Sequence, residues 1–236
     1  MRTDFANTYI GYIWWVLDPL LFMLVYVLVF QVIMGSKIPN YPVFLMCSLL
    51  FWRWVSGSLS QSTSSIVNKK AILSQTYIPK FLLPLIKIGI NSMYFFFSIL
   101  VLFAFILIYK IPITWHFLEI IPLTIVTFLF CYALGLWLAH LGVFYFDVER
   151  ILQFILRLWY YVSPGVYAVA NVPKSLSRFI WLNPLTPIFE GSRNIFLNNL
   201  SPNYKVLGLW AMVSVILIFF GLKTLHKFDK TYTKIM

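Results

Sequence analysis

Residues 41–66 read YPVFLMCSLLFWRWVSGSLSQSTSSI. Up to Trp52 the run is apolar except for Ser48. An arginine follows, then a hydroxyl-rich tail. At 1.5 Å per residue the stretch from Pro42 to Ile66 is long enough for the ~30 Å of a bilayer core. Arg53 falls about eleven residues in, ~16 Å from the start, near the midplane. An arginine there costs anywhere from ~2.5 to ~17 kcal/mol, so it needs water or a partner. Ser56 or Gly57, then Ser60, Gln61 and Ser64, follow at helical spacing as one polar stripe. Two readings are open: a helix lining an aqueous or substrate path, or a polar seam that packs helices together.

The rest of the chain belongs to the same solvent. Of 236 residues 61% are hydrophobic and only 11% charged, against ~25% in soluble domains. The 18 basic and 7 acidic side chains are too few to wet the surface of a soluble protein this long. Disorder, a coiled coil and a disulfide scaffold are excluded. Cys47 and Cys131 sit inside apolar runs and fit small buried fillers. The net charge of +11 fits lysines in cytoplasmic loops or an anionic partner. No basic run interleaved with aromatics lies outside the apolar segments, which argues against nucleic acid. Nor does the start read as a cleavable signal, because the first apolar run is too long and no small-x-small site follows.

The predicted fold class is all-α, one membrane domain over 1–236 with six transmembrane helices and no soluble domain. The spans run from about Tyr9 to Met34, Pro42 to Ile66, Pro84 to Tyr109, Leu118 to Phe146, Leu152 to Ala170 and Lys205 to Leu225. The fifth is expected to kink near Ser163-Pro164-Gly165. Between Asn171 and Asn203 the apolar pieces are too short to span and are broken at Pro184, Pro187 and Gly191. They suit interfacial or re-entrant helices, or an amphipathic surface loop. With both termini inside, eleven basic residues fall on the cytoplasmic side. Six fall outside: Lys37, Lys110, Lys174, Arg178, Arg193 and Lys205. That asymmetry favours N-in and C-in.

Catalytic patterns are absent. There is no G-x-x-x-x-G-K-[ST], so no phosphate-cradling loop, and no H-E-x-x-H, C-x-x-C or G-x-S-x-G. His116, His140 and His226 are far apart in sequence. Asp18, followed by Pro19, is the one acid well inside the first span; it could pair with a base such as Lys87 or cap a broken turn. Tyr12 and Trp15 cluster with Tyr9 and Trp14 at one end of that span, and Trp159, Tyr160, Tyr161 and Tyr167 crowd the fifth. An interfacial belt explains such residues, and so does stacking on sugar rings. Cys131, Gly135 and Ala139, with Gly142 near the same face, form a small-residue seam that lets a second helix approach. Two turns, Asn68–Lys80 and Phe146–Arg150, put charge beside exposed apolar residues, as docking surfaces do.

Four stretches in this order carry a family resemblance: FANTYIGYIWWVLDPLL, SIVNKKAILSQTYIPKFLLPL, VFYFDVERILQFILRLWYYVSPGVY and LNPLTPIFEGSR. Together they resemble the permease subunit of ATP-binding-cassette exporters of polysaccharides and polyol phosphates, which move lipid-linked O-antigen, capsule or teichoic-acid chains across the cytoplasmic membrane. The resemblance implies a homodimer of six-helix permeases with two separate ATPase subunits, which hold the ATP and Mg; no cofactor is expected on this chain. It places ATPase coupling on the loop with Lys69, Lys70, Ile72, Ile78 and Lys80, and a second contact on Asp147, Glu149 and Arg150. It puts the polymer path along the dimer interface, for which Arg53, Ser56, Ser60, Gln61, Ser64, Tyr12, Trp15 and Asp18 are the candidates. Only Met1 to Thr8 precede the first span, where the family usually has a longer amphipathic helix. The second contact reads Tyr145-Phe146-Asp147 where aromatic-Arg-Asp is usual, so Arg150 would have to substitute. A membrane-embedded transferase for lipid-linked sugars, or a small-lipid or drug exporter, are the competing functions; the transferase would want paired carboxylates or a histidine at the membrane face.

Overall fold

The computed structural model describes residues 14–33, 35, 38–73, 75–145, 147–229 and 231–232, without the side chains of residues 14–16, 18, 19, 22, 30, 174, 177 and 178. Among the described residues every regular element is helical. α1 (Trp14–Tyr26) runs on as a π-helical segment, Val27–Ile33. α2 is Tyr41–Thr63, α3 Lys70–Leu73 and α4 Leu82–Ile108. α5 (Ile120–Phe144) is preceded by a 3-10 turn, Trp115–Glu119. Then come α6 (Val148–Val162), α7 (Lys174–Trp181), α8 (Leu185–Arg193) with a π-helical end at Asn194–Asn198, and α9 (Tyr204–Lys227).

Four of these are long and apolar enough to cross a membrane: α2, α4, Trp115–Phe144 and α9. α2 is the axis and packs against α1, α4, α5, α6 and α8. Accordingly 17 of its 23 residues are buried, including all of Tyr41–Phe51. It is also the least apolar of the four. α9 is the reverse. It leans on α5 and buries only Leu207, Ser214, Gly221 and Leu225 of its 24 residues.

Local chemistry sets the helix ends. Asn40 adopts a left-handed conformation (φ 49°) and Pro42 follows at the helix start; asparagine tolerates that region and proline suits a first turn. α4 stops where Lys110 turns left-handed and Ile111 N–H reaches back to Ile106 C=O at 3.0 Å. Ile106 and Ile111 are both buried in the core, which completes a Schellman end. The small-residue seam on α5 is real. A Cβ on Gly142 would overlap the Thr63 carbonyl, and one on Gly135 would come within 3.0 Å of Ser62 and Ile88.

One expectation about the spans differs from the structure. The fifth span does not kink and continue to Ala170; α6 ends at Val162. Ser163 Oγ donates to the Trp159 carbonyl (2.6 Å), Asn183 donates to Ser163 Oγ (2.7 Å), and Trp159 Nε1 donates to Asn183 Oδ1 (2.9 Å). Pro164 cannot prolong the ladder, and Asn183 ties the end of α6 to the start of α8 through the Ser163 hydroxyl and the Trp159 indole. The 171–203 region holds two short helices, as expected of re-entrant or interfacial pieces. α8 is buried against α2 and α5, while α7 exposes Leu176 and Phe179.

Candidate functional site: a polar cleft beside the second helix

The half-buried face of α2 is the polar stripe: Trp52, Arg53, Ser56, Gly57, Ser60, Gln61 and Ser64 are all partly accessible, whereas Trp54, Val55, Ser58, Leu59 and Ser62 are buried. Beside it lies a cleft of about 400 Å³. α2 contributes Trp52, Ser56, Gly57 and Ser60; α6 contributes Gln153, Leu156, Arg157, Tyr160 and Tyr161; Tyr26 closes one end. The end wall is aromatic. Trp52 and Tyr160 stack with centroids 5.1 Å apart, and Tyr26 meets Tyr160 edge-on at 6.0 Å. The cleft therefore offers serine hydroxyls from α2, an amide and a guanidinium from α6, and aromatic side chains at one end. Such groups can hydrogen-bond to hydroxyls and anions and pack on apolar faces.

The structure thus brings Ser56 and Ser60 into the cleft and sets Arg53 on the same face of α2. Gln61 turns to α4, where its Nε2 reaches Asn91 Oδ1 at 3.5 Å. Ser64 caps the C-terminal end of α2. Tyr12 lies outside the described residues, and so do the side chains of Trp15 and Asp18, including the expected pairing of Asp18 with Lys87. Arg157 is one of the eleven basic residues expected on the cytoplasmic side and was not a path candidate, nor was Gln153, although Glu149, Gln153 and Arg157 recur every fourth residue.

A second surface occupies the end of the bundle where α2 gives way to α4. Lys69, Lys70 and Ile72 are exposed, as is Tyr77, while Leu73 is buried and anchors the turn. Ile78 is half-buried against the chain's own cluster of Ile66, Leu83, Val143, Leu225 and Tyr232. Lys80 is buried and bonds to Asp229 at 3.1 Å. At the same end Asp147 precedes α6, and Asp147, Glu149 and Arg150 are exposed. Tyr232 is fully buried and lies 2.6 Å from His140 Nδ1. Burial, followed by the Asp229 charge, pushes its phenol pKa up.

Arg193, expected among the outer charges, is instead only 1% exposed. Its guanidinium donates to the carbonyls of Phe44 (3.4 Å), Tyr167 (3.3 Å) and Gly165 (2.7 Å), to Ser48 Oγ (3.2 Å) and to Glu190 (2.8 Å). It also lies over the Phe44 ring at 3.6 Å. A basic residue three positions after an acid, in a segment too short to span, was the available signal. Among the described residues no three His, Cys, Asp or Glu side chains are placed to hold a metal.

Among the described residues the chain is a bundle of helices, four of them long and apolar enough to span a membrane, with a polar cleft along α2. Residues 2–197 match the ABC-2 type transporter family, and the chain belongs to that family. It is similar to the O-antigen export system permease protein RfbA of Klebsiella pneumoniae, at 27% identity over 237 residues, covering 100% of this chain and 91% of that one. The protein of the same name from Myxococcus xanthus is 29% identical over 220 residues, 92% and 85% of the two chains. The polysialic acid transport protein KpsM of Escherichia coli is 23% identical over 232 residues, 94% and 87%. The chain is a multi-pass membrane protein and a transport subunit rather than an enzyme.

Proposed function

We propose that this chain is the transmembrane subunit of an ATP-driven exporter that carries a lipid-linked polysaccharide or teichoic-acid-like polymer across the cytoplasmic membrane. The observation that carries this reading is the cleft: hydroxyls, an amide and aromatic faces gathered along α2 and α6 inside an apolar bundle. The relatives are named for O-antigen and polysialic acid export, and this supports a glycan cargo. Two copies would bring two such clefts together as one path. α1 with its π-helical extension and α6 join the four long helices as six crossings, with both termini inside, and α7 and α8 re-enter from the outer side. ATP and Mg bind two partner subunits that dock on Lys69, Lys70, Ile72 and the Asp147–Arg150 turn. The test is reconstitution of the permease in vesicles with and without the ATPase. ATP turnover and movement of the lipid-linked glycan should both require the pair. Robust ATP hydrolysis by the permease alone, or glycan transfer to an acceptor in place of transport, would sink the reading.

A further inference from the structure

α6 carries a polar stripe of its own. Glu149, Gln153 and Arg157 fall on one face at four-residue spacing. The other exposed positions of the helix beyond its first turn are apolar or aromatic: Ile151, Phe154, Ile155, Leu158, Tyr161 and Val162. Arg157 lies nine positions beyond Val148, ~13 Å along the axis. It lies five positions before Val162, ~7.5 Å from the other end, so its charge is met either at that end by snorkelling or by what enters the cleft. Among the described residues no acid forms an ion pair with it; its one aromatic contact is the Phe154 ring, 5.9 Å away. It is exposed on the cleft wall, with Ser56 and Ser60 on the α2 side and Gln153 one turn away. No carboxylate is among the residues lining the cleft, and Arg53 adds a second positive charge to the same face of α2.

We propose that Arg157, assisted by Gln153 and Ser60, forms an oxyanion-reading station in the cleft. Its ligand is a phosphate or carboxylate group borne on a hydroxyl-rich substrate. The guanidinium fork presents parallel N–H groups to two oxygens of such a group. The serine hydroxyl and the glutamine amide then serve the neighbouring hydroxyls, while Tyr161, exposed on the cleft wall, offers aromatic surface to the apolar side of a sugar. The station rests on the cleft being the substrate path, and it makes Arg157 the residue that selects charged over neutral cargo there.

The full permease in lipid nanodiscs is titrated with three probes: farnesyl diphosphate, a uronate-containing oligosaccharide and a neutral oligosaccharide of the same length. The wild type should bind at least one anionic probe more tightly than the neutral one. Arg157→Gln should weaken that anionic probe roughly ten- to a hundredfold, as expected for a charge-assisted bond, and leave the neutral one unchanged. Arg157→Lys should fall between, because it keeps the charge but loses the fork. Weakening of the diphosphate alone places the anion on the lipid carrier; weakening of the uronate alone places it on the sugar. Equal affinity of wild type and Arg157→Gln for both anionic probes, or no anionic binding by the wild type, overturns the proposal. Labelling of Ser60→Cys by a water-soluble thiol reagent, in a background lacking Cys47 and Cys131, separates the two levels. If Ser60→Cys labels while Arg157→Gln binds normally, only the station fails. If Ser60→Cys never labels, the path reading fails with it.

Discussion

All five N–H groups of Arg193 find acceptors inside the protein, and those acceptors come from α2, from the turn after α6 and from its own helix. One side chain thereby fixes three segments. Arg193→Ala would leave Glu190 without its ion pair and remove a donor from the carbonyls of Phe44, Gly165 and Tyr167, so it should cost about 3–5 kcal/mol, read as a lower midpoint in detergent unfolding and a lower yield. Arg193→Lys should recover little, since an ammonium cannot span the fork. Arg53 is different in kind. It stands on the accessible face of α2 beside the cleft, so Arg53→Ala should lower glycan export while yield and dimer assembly stay near wild type. A large loss of thermal stability in that variant would instead mark Arg53 as an anchor between helices.

Among elements, α2 and α5 approach closely at Gly142. Gly142→Ala puts a methyl into the Thr63 carbonyl, so it should destabilise by about 1–3 kcal/mol or more. Gly208→Ala, with nothing within 4 Å of the new atom, is the control expected to be neutral. The turn around α3 splits its two isoleucines. Ile72 is 45% exposed and free to seat in a partner, where burial contributes roughly 1.5–3 kcal/mol. Ile72→Asp should therefore weaken ATPase binding in a pull-down while the permease folds normally. Ile78 already packs on its own chain, so Ile78→Asp should harm the permease itself. The long helices and the α5 seam were legible because length, hydropathy and four-residue spacing are local signals. The early end of α6 was not, because it depends on Asn183, twenty positions away, capping Ser163. The short helices of 171–203 were expected, but which of them is buried was not legible, because the partners of α8 lie on α2 and α5. The stripe on α2 was legible, but its counterpart on α6 was masked by the apolar residues around it.

Across the whole molecule, the last described residues act as a strap. Asp229 holds Lys80, Tyr232 holds His140, and Phe228 and Tyr232 pack on Phe144. The strap joins α5 and α9 to the turn that leads into α4. Truncation after Lys227 should therefore lower coupled export and speed hydrogen exchange in residues 75–83, with little change in the amides of α2 near Tyr41–Phe51. Unaltered exchange in 75–83 would show the strap to be an unconnected tail. The contrast between α2 and α9 has a consequence of another kind, for biosynthesis. The helix most enclosed by protein is the least apolar of the four long ones, and it carries an arginine. A ribosome-bound translocon releases segments into lipid according to their apolarity. α9, fused alone to a reporter, should insert efficiently; α2 alone should insert poorly and improve when α4 and α5 follow it. The axis of the finished bundle is then the part that depends most on its neighbours to enter the membrane.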